Sequence, residues 1–300
     1  MIPPELASLR LVLRENVPLA DRTTLRIGGP ARFFAEVGDP EALSALLRWA
    51  RSGDLPVLPL GKGSNILVAD EGFPGVAVVL SGDFRSMAVD GTEVRAGGGA
   101  SLMSLAVVAE REGLSGLEGL SGIPSSVGGA VRINAGSYGS EIFDVLVVVE
   151  LVSRAGDRRT VPAAEIPHGY RWTALMESDD VVVSATLRLR EAAPETIRAR
   201  MAEVAGKRKS SLPPRPNAGS IFRNPPGDFA GRLLEACGMK GRRVGGAEVS
   251  TVHANVIANA GGATARDVRA LMTEMRRAVM DRFGIDLVPE IEVLPPASVE

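Results

Sequence analysis

The chain has 300 residues, 45% of them apolar and 23% charged, which excludes a disordered, fibrous or collagenous protein. At about 150 residues per domain that length points to two domains. With 34 basic and 36 acidic residues the net charge is −2, which leaves no global excess to attract nucleic acid or an anionic membrane.

In chain order, Asp39-Pro40-Glu41 has the form of a helix start, and Leu43, Leu46, Leu47 and Ala50 repeat on one face until Gly53. Short extended runs follow at 55–60 and 66–68, separated by the loop Gly61-Lys62-Gly63-Ser64-Asn65, with further strands expected at 76–80, 87–89 and 93–96. A helix is expected over 101–112 with Leu102, Leu105, Val108 and Ala109 inward. A glycine-dense tract occupies 113–139, and strands resume at 146–152 and 181–189. Ala192-Ala193-Pro194 breaks the pattern, and the expected boundary divides 1–192 from 193–300. Beyond it lie a charged helix (195–209), a helix at 228–237, a strand at 252–258, a long helix capped by Thr264 with Asp267 three residues on, and a final strand at 287–294. The fold class is α+β. The apolar runs are strand-sized, so neither a signal peptide nor a membrane span is expected, and the chain reads as cytoplasmic.

Cys237 is the single cysteine, and His168 and His253 are the two histidines, with no HExxH pattern. An internal disulfide, a multi-thiolate site and a protein-bound catalytic metal are therefore not expected. Glycine makes up 34 residues and is gathered in a few stretches, which brings backbone close to something. In 61–65, glycines at alternate positions let amides converge while the Ser and Asn side chains add donors, a set suited to a diphosphate. The spacing is neither a Walker A loop nor a Rossmann GxGxxG, and a plain glycine hairpin remains open. The small, nearly uncharged tract from Gly116 to Gly139 suits a backbone lying against a large planar ligand. Together the two tracts suggest a dinucleotide with an extended ring system, bound outside a Rossmann fold.

Six segments, LGKGSNILVAD, GLEGLSGIPSSVGGAVRINAGSYG, GYR, NAGSIFRNP, GGAEVSTVHANVIAN and PEIEVL, occur in the order and approximate spacing of the UDP-N-acetylenolpyruvoylglucosamine reductase family, which the chain resembles over nearly its whole length. The resemblance implies a cytoplasmic enzyme of peptidoglycan synthesis. It would reduce UDP-N-acetylglucosamine enolpyruvate to UDP-N-acetylmuramate with NADPH as hydride donor, and no obligate protein partner is expected. It also implies a noncovalent FAD in a fold of the vanillyl-alcohol oxidase type (1–192, core about 22–190) and a C-terminal substrate domain (193–300). Carried over residue by residue, the catalytic groups fall on Arg171, Ser220 and Glu290. The cofactor contacts fall on Gly61, Lys62, Gly63, Ser64, Asn65, Gly122, Ile123, Ser126, Gly128, Gly129 and Asn134, and the substrate contacts on Tyr138 and Asn224. Two positions depart from the family pattern: Ser125 replaces a glycine, and Glu292 stands where a basic residue is common. The short spacing between Arg171 and Ser220 resembles the family's short form, which lacks a loop whose Tyr covers the uracil.

The chemistry asks for these residue types. Reducing an enolpyruvyl ether builds enolate charge beside a carboxylate, and a guanidinium pairs with that anion while staying ionised. The basic carbon formed next accepts a proton even from a weakly acidic hydroxyl if geometry is held, the role carried over to Ser220. A carboxyl such as Glu290 stabilises the enol proton if burial raises its pKa. Taken alone, Arg171 reads as a surface Arg and Ser220 as an N-cap or turn Ser, while Glu290 reads equally as an edge-strand charge. His253 reads as a buried or orienting group, and Lys207, Arg208 and Lys209 as a solvated helix end or as charge for a diphosphate. The rival readings are an FAD oxidase with covalently tethered flavin, against which no His or Cys lies in the flavin tracts, and a noncatalytic nucleotide-binding module.

Overall fold

The computed structural model describes residue 6 and residues 9–295, so the outermost ends of the two expected domains lie outside the described residues. Contacts group the chain into two units. The first runs through Glu15 and takes in Phe33–Gly61 and Gly75–Gly206, while the second takes Asn16–Arg32, Lys62–Pro74 and everything from Lys207 on. The two early segments belong to the second unit because Leu25, Ile27 and Leu67 are buried in its core.

In the first unit a four-stranded sheet runs in the order Leu11–Pro18, Pro30–Val37, Phe73–Leu80, Val57–Pro59. Helix α1 (Pro40–Ser52) begins at Asp39, whose side chain accepts from the Ala42 N–H at 2.8 Å, and it buries Leu43, Leu46, Leu47 and Ala50. These pack with Phe33, Ala35, Val76 and Val78, and the same core takes in Val152, Val181 and Val183. Those last three belong to a five-stranded antiparallel sheet ordered Arg158–Pro162, Leu146–Val152, Val181–Arg188, Glu93–Gly97, Met87–Asp90. Side chains alternate across a sheet, and a break in register between Glu150 and Leu151 shifts that alternation along Val181–Arg188, so Leu151, Val182, Ala185 and Leu187 feed a separate core built with helices α2 (Leu102–Arg111) and α3 (Val127–Arg132). Val108, expected inward on α2, is half-buried, and Ala106 is buried there with Leu105 and Ala109. Helix α4 (Pro194–Ser211) follows the last strands.

The second unit holds an antiparallel sheet ordered Asn217–Ser220, Val256–Asn259, Ala247–Val249, Arg243–Val244. Helices α5 (Ala230–Ala236) and α6 (Ala265–Phe283) share its core: Leu233 and Leu234 meet Val268, Leu271, Met272, Met275 and Val279. Thr264 and Asp267 form the expected capping box on α6, and Gly284 at φ +67° ends it. Asp70 adds to this cap, accepting from the N–H groups of Ala265 and Arg266 at 2.7 and 3.0 Å.

Two expectations are corrected and one open alternative is removed. The strand expected over 252–258 starts only at Val256, because the Ser250 hydroxyl accepts from the N–H groups of Val252 and His253 and turns the chain. The final strand is Glu292–Leu294, and it pairs in parallel with Ile66–Val68. Val57–Pro59, on the other side of the glycine loop, pairs in parallel with Phe73–Leu80, so the loop does not close a hairpin. Among the described residues no helix is long and apolar enough to cross a membrane.

Candidate active site

In the first unit Gly61 lies against Ser126 of the second glycine tract. A Cβ on Gly61 would stand 2.5 Å from Ser126 Oγ, so the loop can approach only with a bare backbone there. Ser126 Oγ also accepts from the Gly129 N–H at 3.2 Å, capping α3, while the Val127 and Gly128 N–H groups donate to the carbonyls of Ala100 and Gly98. These amides are occupied within the protein, so 127–129 can offer a ligand shape and not N–H donors. Gly128 is required by packing, since a Cβ would lie 2.9 Å from Val182 O. Ser125, which departs from the family glycine, has no left-handed φ, and its hydroxyl donates to Ser126 O at 2.9 Å. The serine is therefore accommodated without strain.

Asn134, Tyr138 and Arg171 converge in this unit, and all three hold left-handed backbone, at φ +46°, +50° and +55°. Non-glycine residues rarely adopt that region, and such outliers cluster at functional sites. Tyr138 and Gly139 are the two central residues of the hairpin pairing Gly136–Ser137 with Ser140–Glu141, both with φ above zero, as a tight antiparallel turn demands. Arg171 is the second central residue of the turn between His168–Gly169 and Trp172–Thr173. Its Nη2 donates to Gly136 O, its Nη1 lies 3.9 Å from Glu141 Oε1, and its guanidinium sits over the Tyr170 ring at 5.0 Å. Asn134 ties the two turns together. Its Nδ2 donates to Glu141 Oε2 at 2.7 Å and Gly169 O at 3.0 Å, and its Oδ1 accepts from the Phe143 N–H. Wholly buried and with its amide fully occupied, Asn134 acts on the site by holding the turns. Glu141 holds both Asn134 and Arg171, and sequence reasoning missed it because it lies outside the turn residues that stand out in the motif.

The second unit brings together Lys62–Asn65, Ser220, Asn224 and Glu290. Lys62 and Ser64 make no side-chain hydrogen bond or ion pair with any described residue, whereas Asn65 Nδ2 donates to Glu290 O at 3.1 Å and Asn65 O accepts from the Glu292 N–H at 3.0 Å. Gly63, at φ +60°, passes so close to the Arg22 carbonyl that a Cβ would sit 2.2 Å from it. Ser220 follows a break in register between Asn217 and Ser220, a bulge made by Gly219 at φ +72° whose N–H donates to Asn217 Oδ1. Bulges of this kind re-aim the next side chain. Ser220 is half-buried and its hydroxyl has no protein partner among the described residues. Ile221 O accepts from the Glu290 N–H at 2.8 Å, which fixes Ser220 and Glu290 in register. Asn224 is exposed, and its Oδ1 accepts from the Ala230 N–H at the start of α5.

The family described as UDP-N-acetylenolpyruvoylglucosamine reductase, C-terminal domain, matches residues 211–294, and that described as FAD binding domain matches residues 31–161. UDP-N-acetylenolpyruvoylglucosamine reductase 2 of Symbiobacterium thermophilum is 44% identical over 282 residues, covering 94% of this chain and 92% of that protein. The chain belongs to the UDP-N-acetylenolpyruvoylglucosamine reductase family. A second reductase, from Anaeromyxobacter sp., is 46% identical over 284 residues, covering 94% of this chain and 88% of that protein. The crystal structure of the reductase from Thermus caldophilus has a TM-score of 0.83 at 42% identity, covering 95% of this chain and all of that one. The α+β class read from the sequence, an FAD-binding domain followed by the family's C-terminal domain, is what these matches give.

Within this reductase fold, Asn255 is a residue that the sequence did not single out although it lies in the quoted VSTVHANV segment. Buried to 2% exposure, it pairs its side-chain amide with both backbone groups of Phe222: Nδ2 donates to Phe222 O at 2.7 Å and Oδ1 accepts from the Phe222 N–H at 3.0 Å. Its own carbonyl accepts from the Ile221 N–H at 2.9 Å. Asn255 thus stands in for a strand partner just after Ser220. Asn255→Asp sets a carboxylate oxygen against the Phe222 carbonyl and is expected to destabilise the fold by about 2–3 kcal/mol, read from the denaturation midpoint.

His253 Nδ1 accepts from the Asn255 N–H at 3.2 Å, which assigns the remaining proton to Nε2. Burial holds its pKa below the usual 6.5, helped by Lys240 and opposed by Glu235. A histidine with a lowered folded pKa favours unfolding when protonated, so its contribution is complete above about pH 6.5 and declines as pH falls below that value. The wild-type unfolding temperature is expected to fall more between about pH 7.5 and 5 than that of His253→Asn. Equal declines would remove His253 from this role.

Proposed function

We propose that the chain catalyses the NADPH-dependent reduction of UDP-N-acetylglucosamine enolpyruvate to UDP-N-acetylmuramate in the cytoplasm, with FAD held noncovalently. The observation that carries this reading is Ser220: an unpartnered, half-buried hydroxyl aimed by a glycine bulge and fixed in register with Glu290, whose backbone also holds the loop at Asn65. The donor set fits the cofactor. Lys62 offers an ammonium and Ser64 a hydroxyl, both without protein partners among the described residues, and such a pair suits a diphosphate. Gly61 and Gly63 let the loop lie close to its own protein walls, and Gly122, Ile123, Ser126, Gly128 and Gly129 offer an uncharged surface to a planar ring. Cys237 donates to Ala278 O and burial raises its pKa, which makes it a poor tether. Residues 1–192 carry the FAD-binding role in this reading and 193–300 the substrate role, with the segment 62–74 folding among the latter.

FAD, when bound, supplies the hydride that adds to the methylene carbon of the enolpyruvyl group, and NADPH replenishes it. The protein does the rest. Arg171 pairs with the substrate carboxylate as enolate charge develops, and its orientation is fixed beforehand by Gly136 O and Glu141. Ser220 Oγ–H gives its proton to the carbon bearing that charge and completes the lactyl ether, and the serine oxygen regains a proton from solvent. Glu290 stabilises the enol form, while Tyr138 and Asn224 contact the nucleotide sugar. Anaerobic addition of NADPH should bleach the yellow holoenzyme, and UDP-N-acetylglucosamine enolpyruvate should then restore the colour. A bleached enzyme that stays bleached would remove this substrate.

A further inference from the structure

In the second unit most arginines near the sheet answer to carboxylates: Arg215 and Arg243 pair with Glu248, Arg242 with Glu274 and Arg276 with Asp286. Arg223 does not. Its side chain makes no hydrogen bond or ion pair with any described residue, and its Nε is closed off from solvent without an acceptor. Buried donors in folded proteins are nearly always paired, and an orphaned one calls for an explanation. A guanidinium cannot relieve the cost by losing its proton, so the partner that suits it is an anion.

The backbone beneath this group is fixed on both sides. The Arg223 N–H donates to Val288 O at 2.9 Å, and the preceding residue, Phe222, is bridged to Pro289 and clamped by Asn255. The position lies three residues after Ser220 and immediately before Asn224, in the segment placed against the nucleotide sugar. We propose that Arg223 binds an anionic oxygen of the nucleotide-sugar substrate, a phosphoryl or a carboxylate oxygen, through its guanidinium, the side chain turning so that the closed-off Nε gains a partner. This rests on the functional reading above and adds to it a second cation, carried by the same segment as Ser220.

The test titrates FAD-loaded protein with uridine diphosphate and with UDP-N-acetylglucosamine enolpyruvate, following heat or the flavin spectrum. Losing a charge-assisted hydrogen bond is expected to weaken binding to Arg223→Ala by about tenfold or more, with FAD content unchanged. Weakening toward both ligands places the contact on the diphosphate. Weakening toward the enolpyruvyl ligand alone places it on the carboxylate, and either result upholds the proposal. Unchanged affinity for both, or loss of FAD without loss of substrate affinity, overturns it. Should Arg223→Ala not fold, Arg223→Lys, which keeps the charge and lacks the Nε donor, is judged by the same titrations with an expected loss of about threefold. Wild-type protein that binds neither ligand would sink the functional reading and this proposal together. Binding to wild type with no change in the variant would sink this proposal alone.

Discussion

Replacing Ser220 with Ala is expected to leave reduction of the bound flavin by NADPH unchanged and to slow reoxidation by UDP-N-acetylglucosamine enolpyruvate by about 10²–10⁴-fold, the usual range for losing a positioned proton donor. The substitution removes one oxygen whose hydroxyl has no protein partner among the described residues, so the fold loses no hydrogen bond. The bulge that aims the side chain is made by Gly219 and by Asn217 Oδ1, neither of which the substitution touches. Stability and FAD content should therefore stay at wild-type levels, which separates a chemical defect from a structural one. Stopped-flow absorbance of the flavin reads both half-reactions in one experiment. A noncatalytic nucleotide-binding module predicts no change in either phase. A defect confined to the NADPH phase would contradict the role given to Ser220 and move it to the other half of the cycle.

Much of this was legible in the sequence wherever the determinant is local. Helices α1 and α6 declare themselves through Asp39 and Thr264 and through one apolar face each, and both hold. Helix α3 was hidden because two of its six residues are glycine, a poor helix former. It is held by Ser126 and by the carbonyls of Gly98 and Ala100, contributed by residues some 30 positions earlier, a distance that no local pattern reports. The strand Ile66–Val68 was legible, but its neighbour, Glu292–Leu294 at the far end of the chain, was not. At the site, the motifs named Ser220, Arg171 and Glu290 but not the groups that aim them. Glu141 and Asn255 work through partners fixed only by folding, and Asn134, placed by its motif beside the cofactor, is wholly buried and holds the turns. Arg171 itself carried no sign in the sequence that it would sit in left-handed backbone.

Arg171→Lys keeps a positive charge and an L side chain at φ +55°, so the strain of the turn is the same before and after. What changes is the head group. A lysine ammonium is a point donor and cannot span Gly136 O while presenting a second parallel N–H to a carboxylate, which the planar guanidinium does. Charge that develops in the transition state is stabilised only by donors already in place, so reoxidation by the enolpyruvyl substrate is expected to slow by about 10²–10³-fold, the cost of losing one preorganised donor. Reduction by NADPH should be unaffected. Arg171→Gly gives the complementary result: glycine accepts a positive φ without penalty but gives up the contacts to Gly136 O and Glu141, and with no cation the second half-reaction should fall further. Thermal unfolding and stopped-flow reoxidation of the two variants together separate strain from charge. If Arg171→Lys reoxidised within about twofold of wild type, the carboxylate would not depend on a guanidinium here, and the cation stabilising the enolate would have to be sought elsewhere in the chain.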